Sequence, residues 1–285
     1  MKCVLMVGPP GSGKSTVAKR DYADHVYVNQ DSQGLGHVDV FEQAISEGRP
    51  VVVDRMGFSK EQRSRYLSTA KDAGYHTEIV VIHESYDTCY DRMLKREGHE
   101  TVKDEKSRRG ALRTFFTKYE RVSDDEADVA TRVWPEGNKP EAIWVDIDNT
   151  LSDAAHREHF LKGEKKNWKG FFDNMDRDPV NEWCKALANG MYSSVVVLIC
   201  SARPSDYRSN TQAWLSLNGV KYHELIMRLG GDFRKDSIVK EIMYEFEIKS
   251  RYNLLFSVDD RRQVIDQMRT HSIVVLDCAG EKGNF

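Results

Sequence analysis

Short runs of consecutive apolar residues alternate along the chain with longer segments in which apolar residues recur every three or four positions. Continuous apolar runs separated by helix-length segments are typical of parallel strands covered on both faces. The pattern occurs in both halves and predicts an α/β protein with two three-layer α/β/α domains and mainly parallel sheets. The predicted strands are residues 3–7, 26–28, 51–53 and 79–82 in the first half, and residues 143–145, 195–200, 254–258 and 273–276 in the second.

A break in this pattern predicts where the two domains meet. Residues 135–140 contain two of the seven prolines and show no apolar periodicity, which is typical of a linker. We therefore expect a first domain over residues 1–137 and a second over residues 138–285. Each is close to the usual size of a domain.

The charge of the chain is nearly balanced, with 42 Lys and Arg against 45 Asp and Glu and a formal net charge of −3. This balance excludes a uniformly basic coat for non-specific binding to nucleic acid. Residues 92–121 depart from it, with ten Lys or Arg against five Asp or Glu. Such a run is most often a solvated helix face with intrahelical ion pairs, so its meaning depends on the motifs around it.

The composition also bears on where the protein acts. No apolar stretch approaches the ~18–20 residues that cross a bilayer, and the first residues read as a strand and not as a signal peptide. The five cysteines are odd in number and form no CxxC pair, as in proteins whose thiols stay reduced. We expect a cytoplasmic protein (of a host cell if a phage encodes it) with no membrane partner.

A phosphate-binding motif follows the first predicted strand. Residues 8–15, G-P-P-G-S-G-K-S, match the pattern G-x-x-x-x-G-K-[ST] and lead into a helical pattern. In this motif the backbone N–H groups surround the phosphates, the lysine reaches the terminal phosphates and the hydroxyl binds Mg²⁺. We predict a site for ATP and Mg²⁺, with Ser15 as metal ligand, formed by Gly8, Gly11, Ser12, Gly13, Lys14, Ser15 and Thr16.

The rest of the first half favours a kinase over other phosphate-loop proteins. It has no N-K-x-D base-reading motif, and its third predicted strand is followed by the single acid Asp54. A kinase needs a carboxylate that deprotonates the acceptor hydroxyl and basic residues that close over the transferred phosphoryl group. We predict Asp31 as general base and Arg92 and Arg96 as nucleotide-binding lid cations, with Arg96 catalytic. A turn cap at Asp31 and a surface cation at Arg96 are the alternatives.

The second half opens with Asp146 and Asp148 in a D-x-D-x-T sequence directly after a predicted strand. Two carboxylates this close are costly without a cation, and Mg²⁺ is the hard ion that takes carboxylate and phosphate oxygens. One carboxylate can attack phosphorus to form an acyl phosphate while the other protonates the leaving alcohol and then activates water. The sequence therefore indicates a phosphatase.

Three later groups of residues complete this prediction. Two of them follow predicted strands, and the third is a pair four residues apart on one helix face. The carboxyl ends of parallel strands meet at one edge of a sheet, so we expect these groups to converge there. The predicted metal ligands are Asp146, Asp148, Asp259 and Asp260, and the predicted phosphate ligands are Ser201, Ala202, Arg203, Asp236 and Lys240, of which Lys240 is also catalytic.

The order of these motifs resembles that of a known family. The second half is similar to the haloacid-dehalogenase-type phosphatases, and the first half resembles the P-loop 5′-kinases. A kinase followed by a phosphatase at this length resembles the bacteriophage polynucleotide kinase–phosphatases. The resemblance implies that the protein phosphorylates 5′-hydroxyl ends with ATP and removes 3′-phosphates, and that it prepares RNA or DNA ends for a nucleic-acid ligase.

The resemblance also implies roles for single residues. Asp146 would be the nucleophile of the phosphatase and Asp148 its acid–base residue, and Arg157 would join the phosphate ligands. Asn149 stands where the commoner pattern has glycine. Aromatic residues in segment 160–178 form either a core or a substrate platform, and a core is the more usual role for such residues.

The chain departs from the phage kinases in two places. Residues 32–34 read Ser-Gln-Gly, where those kinases have an arginine that contacts the acceptor phosphate. The lid sequence also differs, which leaves Arg92, Arg96 and Arg108 as alternatives for the catalytic arginine. Acceptor recognition is therefore open at the level of sequence.

Two other functions stay open as well. One is a kinase–phosphatase that acts on free nucleotides or a small metabolite, and the other is a non-catalytic ATP-binding module. The basic stretch at residues 92–121 favours a polymer, because several backbone phosphates need several cations. The choice between RNA and DNA and the existence of a homo-oligomer are not decided by the sequence.

Overall fold

A computed structural model of the chain describes residues 1–95 and 104–279. The chain divides into two compact units, Met1–Glu136 and Gly137–Phe285. Each unit has a five-stranded sheet in which every described strand pair is parallel, so the predicted α/β class is confirmed. Among the residues described, no helix is both long enough and apolar enough to cross a bilayer.

In the first unit, strands and helices alternate along the chain. The strands are β1 (Lys2–Val7), β2 (Val26–Asn29), β3 (Val51–Asp54), β4 (His76–Ile82) and β5 (Val129–Val133). The helices are α1 (Lys14–Asp21), α2 (Gln30–Gln33), α3 (His37–Ser46), α4 (Lys60–Asp72), α5 (Tyr86–Lys95) and α6 (Glu105–Lys118). The strand order is β2-β3-β1-β4-β5. The chain therefore passes to both sides of β1, and such a reversal leaves a crevice at the carboxyl end of the strand.

The second unit has the same kind of sheet. Its strands are β6 (Glu141–Val145), β7 (Val196–Pro204), β8 (Glu224–Arg228), β9 (Asn253–Asp259) and β10 (Val274–Asp277). Its helices are α7 (Trp168–Asp173), α8 (Glu182–Met191), α9 (Arg208–Leu217), α10 (Asp236–Ile242) and α11 (Arg262–Thr270). A 3₁₀ helix covers Ala155–Leu161, and a π-helical turn, Met243–Ile248, continues α10. The order β10-β9-β6-β7-β8 leaves the crevice at the carboxyl end of β6.

The apolar pattern predicts four strands in each sheet and misses β5 and β8. Both are edge strands. Every residue of β5 is exposed or half-buried, and in β8 only three apolar residues lie between Glu224 and Arg228. An edge strand does not need the continuous apolar run on which the prediction depends.

Strand β6 explains why the inner strands do read as continuous apolar runs. Its residues Ile143 and Val145 belong to one buried cluster, whereas Ala142 and Trp144 belong to another. Successive side chains of a strand point to opposite faces of the sheet, so helices must cover both faces. The result is the predicted three-layer arrangement, with the sheet edge left open for chemistry.

A buried ion pair ties α4 to the segment that precedes β5. The Arg63 side chain is 0% exposed, and its Nε and Nη2 atoms donate to the two carboxylate oxygens of Glu126 at 2.6 and 2.8 Å. Its Nη1 atom donates to the backbone oxygens of Gly57 and Glu120 at 2.9 and 3.0 Å. All three guanidinium nitrogens therefore have partners inside the first unit.

Replacing this arginine should destabilise the first unit strongly. An Arg63→Leu change leaves the buried Glu126 carboxylate unpaired, and such a loss costs about 3–5 kcal/mol. Urea unfolding of the variant would measure it. The matched control is Arg65→Leu at an exposed position of the same helix, for which we expect a change within about 0.5 kcal/mol. Equal stabilities of the two variants would contradict the structural role of the pair.

Candidate active sites

The loop after β1 is shaped by glycines that no other residue can replace without strain. Gly8, Gly11 and Gly13 have φ angles of 151°, 83° and 98°. A Cβ atom on Gly8 would lie 2.6 Å from the Ile82 oxygen, and one on Gly11 would lie 2.4 Å from the Cys89 oxygen. The loop therefore packs directly on β4 and α5, and its N–H groups can line a cradle for phosphate oxygens.

The predicted nucleotide-binding side chains lie in and beside this loop. Lys14 is buried, and its Nζ atom donates to the Pro9 oxygen at 2.8 Å, which holds the ammonium group inside the turn of the loop. Gly13 precedes α1, so Ser15 and Thr16 lie in the first turn of that helix. The Ser12 hydroxyl is buried and has no hydrogen-bond partner among the described residues.

Asp54 at the end of β3 belongs to the same site, although the sequence analysis treated it only as a strand end. One of its carboxylate oxygens accepts hydrogen bonds from the Tyr27 hydroxyl at 2.6 Å and from Asn29 Nδ2 at 3.3 Å. Burial and Asp54 raise the pKa of Tyr27, whereas the neighbouring Ser15 hydroxyl opposes that rise. The contacts bring Asp54 close to the predicted metal ligand Ser15, as a magnesium site requires.

Asp31 lies exposed in the first turn of α2, directly after β2. It does not cap that helix, because the Asn29 side chain accepts the hydrogen bond from the Ser32 N–H group at 3.1 Å. Asn29 is therefore the N-cap of α2. The Asp31 carboxylate stands at the sheet edge, where an acceptor hydroxyl can reach it.

Arg55 is a cation at this edge that the sequence analysis missed. Its guanidinium donates to Gln30 at 2.5 Å, to His37 Nε2 at 2.7 Å and to the Tyr66 hydroxyl at 2.8 Å. These partners are amide, imidazole and hydroxyl groups, and within residues 1–95 and 104–279 no carboxylate forms an ion pair with it. Gln30 precedes Asp31, so an uncompensated positive charge lies next to the predicted general base. The sequence signal that could have identified Arg55 is a charged residue directly after a buried strand.

Of the predicted lid cations, Arg92 lies at the loop and Arg96 lies outside the described residues. An Arg92 Nη2 atom pairs with the buried Glu84 carboxylate at 2.8 Å, and Nη1 is 3.5 Å from the Ser12 oxygen. About half of the Arg92 side chain is exposed. A partly exposed guanidinium beside the phosphate loop can neutralise charge on a transferred group.

In the second unit, a buried lysine joins two of the predicted acids. Lys240 on α10 donates to Asp146 and to Asp259, each at 2.6 Å. Burial alone would lower the pKa of Lys240, but the two carboxylates more than offset it and the pKa is raised. The lysine is therefore a fixed positive charge that aligns the Asp146 carboxylate at the end of β6.

Asp146, Asp259 and Asp260 form a cluster that fits a divalent cation. One carboxylate oxygen from each lies within 4.8 Å of the others. Burial and the neighbouring Asp259 raise the pKa of Asp260 to about 6. Burial likewise raises the pKa of Asp146, with Asp259, Asp260 and Asp148 adding to the rise and Lys240 opposing it. Three carboxylates against one lysine leave excess negative charge, and Mg²⁺ takes such oxygen ligands.

Asp148, the fourth predicted metal ligand, faces two arginines instead of this cluster. Its carboxylate accepts hydrogen bonds from Arg157 and, at 2.7 and 3.0 Å, from Arg203. Burial opposes ionisation, but the two guanidinium groups hold the pKa of Asp148 below its usual range. The structure thus separates the two acids of the D-x-D sequence, because Asp146 contacts Lys240 and Asp148 contacts the arginines.

Asp178 orients both arginines and was not found from the sequence. Its fully buried carboxylate accepts from Arg157 at 2.6 and 2.7 Å and from Arg203 at 3.0 Å. It also accepts from the Ser152 hydroxyl at 3.1 Å. Asp178 lies outside every recognised motif, and only its position before Pro179 marks it in the sequence. The hydrogen bonds to Asp178 therefore fix the positions of both arginines in the folded chain.

Arg203 has a nitrogen that none of these acids uses. Its side chain is fully buried, and Nη1 has no hydrogen-bond partner among the described residues. A shift in the β7–β8 register between Ser201 and Pro204 re-aims this residue, as irregularities in strands near active sites commonly do. A buried, unsatisfied guanidinium nitrogen is costly, and a phosphate oxygen would satisfy it. Ser201 adds a hydroxyl that accepts the Arg203 N–H hydrogen bond at 3.1 Å.

Two further predicted phosphate ligands, Asp236 and Ala202, accept hydrogen bonds from arginines. Asp236 accepts hydrogen bonds from Arg228 and Arg261, and the Ala202 oxygen accepts from Arg228 Nε at 2.7 Å. The Asp236 carboxylate and the Ala202 oxygen are acceptors that position arginines, and a contact of either residue with phosphate stays a prediction. The Arg261 N–H donates to Asp259 at 3.0 Å, which links this group to the carboxylate cluster.

The residue that replaces the expected glycine fits its place. Asn149 has a φ of 63°, in the left-handed region that asparagine enters more readily than other side chains. Its side-chain oxygen accepts the Ala154 N–H hydrogen bond at 3.1 Å. The turn that carries Asp146 and Asp148 therefore forms without glycine.

Comparison with known families supports the division of the chain. Residues 140–285 match the family described as polynucleotide kinase PNKP phosphatase domain. Residues 29–121 match a family described as an AAA domain. The chain thus combines a P-loop domain with a phosphatase domain of the haloacid-dehalogenase type, and the resemblance predicted from the sequence is confirmed.

Individual relatives share modest identity with the chain. A candidate bifunctional polynucleotide kinase/RNA ligase of Autographa californica nuclear polyhedrosis virus is 23% identical over 92% of this chain and 40% of its own length. Transcription factor bHLH140 of Arabidopsis thaliana is 31% identical over 34% of this chain and 12% of its own length. The chain therefore spans less than half the length of these curated relatives. A solved Pnkp1/Rnl/Hen1 complex contains a chain 21% identical, with 97% of this chain and 95% of that chain covered and a TM-score of 0.42.

Proposed function

The chain belongs to the polynucleotide kinase PNKP phosphatase domain family, and on that premise we propose that it heals nucleic-acid ends. It phosphorylates 5′-hydroxyl ends with ATP and removes 3′-phosphates. The observation that carries the proposal is the pair of separate phosphate sites, a glycine loop with Lys14 in one unit and the Asp146–Lys240–Asp259 group with Arg203 in the other. Each unit therefore has its own chemistry.

In the kinase site, the loop N–H groups and Lys14 hold the ATP phosphates. Ser15 and Asp54 would hold Mg²⁺, which when bound neutralises charge on the phosphates. Asp31 accepts the proton of the 5′-hydroxyl as its oxygen bonds to the γ-phosphorus, and the bond from that phosphorus to ADP breaks. Arg92 stabilises the negative charge that develops on the transferred group.

In the phosphatase site, Lys240 holds the Asp146 carboxylate in line for attack on the 3′-phosphate. The phosphorus–O3′ bond breaks, an acyl phosphate forms on Asp146, and the ribose oxygen takes a proton from Asp148, which carries it once the bound phosphate offsets the charge of the two arginines. Asp148 then removes a proton from a water molecule whose oxygen bonds to that phosphorus, the bond from phosphorus to the Asp146 oxygen breaks, and inorganic phosphate leaves. Asp146, Asp259 and Asp260 would hold Mg²⁺, which when bound offsets the charge of the attacking carboxylate and the phosphate.

Arg203 links phosphate binding to the acid–base residue. Two of its nitrogens hold Asp148, and Nη1 is available for a phosphate oxygen. One planar guanidinium therefore fixes the distance between the phosphate and the proton donor. Arg157 holds Asp148 in the same way and completes the phosphate site.

A nucleic-acid substrate is favoured over a free nucleotide by charge. Residues 92–121 carry ten basic against five acidic residues, and a polymer with several backbone phosphates uses several cations. The viral relative is described as a polynucleotide kinase joined to an RNA ligase. We propose that this chain prepares ends for a separate or attached ligase.

The test uses oligonucleotides that report each end separately, in RNA and DNA versions. A strand with hydroxyls at both ends should gain one phosphate in ATP and Mg²⁺, and a strand with phosphates at both ends should lose only the 3′ one. Mass spectrometry of the products detects both changes, and the relative rates decide between RNA and DNA. Unchanged oligonucleotides, together with turnover of free nucleotides, would replace this proposal by the small-molecule alternative.

Single substitutions should separate the two activities. Asp31→Asn removes a general base, which contributes roughly 10²–10⁴ in rate, so the kinase slows by that factor while phosphatase activity stays. Asp146→Asn removes the nucleophile and should abolish phosphatase activity while the kinase stays. Initial rates on the two oligonucleotides measure both.

Each of these variants is the matched control of the other, since both replace one carboxylate by its amide. Loss of both activities in either variant would point to a shared site or a folding defect. Circular dichroism of the two proteins distinguishes these outcomes.

We also propose that Arg55 takes the place of the arginine that residues 32–34 lack, by binding a phosphate of the acceptor strand. Arg55→Gln should raise the KM for the oligonucleotide roughly 10–100-fold, as for a lost hydrogen bond to a charged group, and leave the KM for ATP unchanged. Arg49→Gln is the control, because Arg49 precedes β3 and Arg55 follows it. Equal acceptor KM values for the two variants would contradict this role.

A further inference from the structure

Three aromatic rings form a continuous row on the surface of the phosphatase unit. The rings of Trp168 and Phe172 lie 6.0 Å apart at 22°, and those of Phe172 and Tyr207 lie 5.3 Å apart at 38°. Trp168 and Phe172 are four residues apart on α7 and share a face, whereas Tyr207 precedes α9. We call these three residues the aromatic ladder.

The ladder is not part of the core. Trp168 is 48% exposed, and Phe172 and Tyr207 are half-buried. The ring of α7 that does enter the core is Phe171, which is 8% exposed and meets both Trp168 and Phe172 edge-on. Phe171 therefore anchors the helix, and this leaves the ladder with faces and edges open to solvent.

The ladder is continuous with the phosphatase site on both of its sides. The Arg157 guanidinium lies 4.0 Å from the centre of the Phe171 ring and also binds Asp148. At the other end, Tyr207 follows Arg203 by four residues, and its hydroxyl donates to Asp173 on α7 at 3.0 Å. A chain that ends in a phosphate on Arg203 would therefore leave the site beside these rings.

The segment that leads into α7 is basic in a protein whose net charge is −3. Residues 162–169 contain four exposed lysines and a single acid, Glu164. The Lys166 Nζ atom lies 5.8 Å from the centre of the Trp168 ring. Lys169 pairs with Asp173, the acceptor of the Tyr207 hydroxyl. Aromatic faces between lysines match the alternation of bases and phosphates in a single strand.

We propose that the aromatic ladder binds the unpaired bases next to the 3′-phosphate, and so makes the phosphatase selective for single-stranded 3′ ends. The inference rests on the proposed function and extends it to the form of the substrate. Bases stack on Trp168 and on the Phe172–Tyr207 surface, and the lysines contact the phosphates between them. Inside a duplex both faces of a base are covered and only the terminal pair exposes one face, so a paired end offers the rings at most one base and binds less well than a single strand.

The experiment compares Trp168→Ala with the unmodified protein on two substrates. Stacking by one base predicts that kcat/KM for a single-stranded oligonucleotide 3′-phosphate falls about 5- to 150-fold. The small ester p-nitrophenyl phosphate does not reach the ladder, so its hydrolysis should change less than twofold. Trp168→Phe keeps a ring and should restore most of the lost activity.

The chain offers a matched control. Trp183 on α8 is 51% exposed and stacks on no other ring among the described residues. Trp183→Ala should leave activity on both substrates unchanged. A duplex with a recessed 3′-phosphate gives the second comparison, since the unmodified protein should prefer the single strand and Trp168→Ala should lose most of that preference.

Each other outcome overturns the proposal in a recognisable way. An equal loss on both substrates would make Trp168 a structural residue of the active site. No loss on either would mean that the ladder serves another partner, such as a protein. If the unmodified protein hydrolyses p-nitrophenyl phosphate but no oligonucleotide 3′-phosphate, the proposed function itself fails and the ladder proposal with it.

Discussion

Both candidate sites depend on the crowding of charged groups at the carboxyl edge of a parallel sheet. Side chains that leave the strand ends converge on one crevice, so like charges come close and must be held by fixed opposite charges. Lys240 meets this constraint for Asp146 and Asp259, and Asp178 meets it for Arg157 and Arg203. All of these groups are buried, and water cannot screen them. The geometry of the site is therefore set before any substrate arrives.

The two units meet the same constraint in opposite ways. In the phosphatase unit, acids hold the arginines in place, and the Arg203 Nη1 atom has no hydrogen-bond partner in the part of the chain that the structure describes. In the first unit, Arg55 is held by an amide, an imidazole and a hydroxyl, and within residues 1–95 and 104–279 no carboxylate pairs with it. A cation held by neutral groups attracts an anion over a longer range than one already paired. The first arrangement favours a precise fit to one phosphate, and the second leaves a positive charge that attracts anions.

The sequence could predict the features that depend on residues close to one another along the chain. The glycine loop, the D-x-D turn and the inner strands each follow from local spacing, because buried parallel strands must be apolar throughout. It could not predict the edge strands, because β5 is exposed or half-buried and β8 has only three apolar residues, or Asp178, which acts on Arg157 and Arg203 from a distant part of the chain. The orientation of Asp148 away from the carboxylate cluster was also hidden. Spacing of residues does not say where a side chain points.

The contact between Gly11 and Cys89 has a mechanical consequence. A Cβ on Gly11 would stand 2.4 Å from the Cys89 oxygen, so the phosphate loop touches the backbone of α5 with no side chain between them. Where backbone packs directly on backbone, no flexible side chain lies between the two segments to absorb a displacement. The loop and α5 must therefore move together, and Arg92 on that helix follows any movement of the loop. The spacing between the phosphate cradle and this cation is thus built into the backbone.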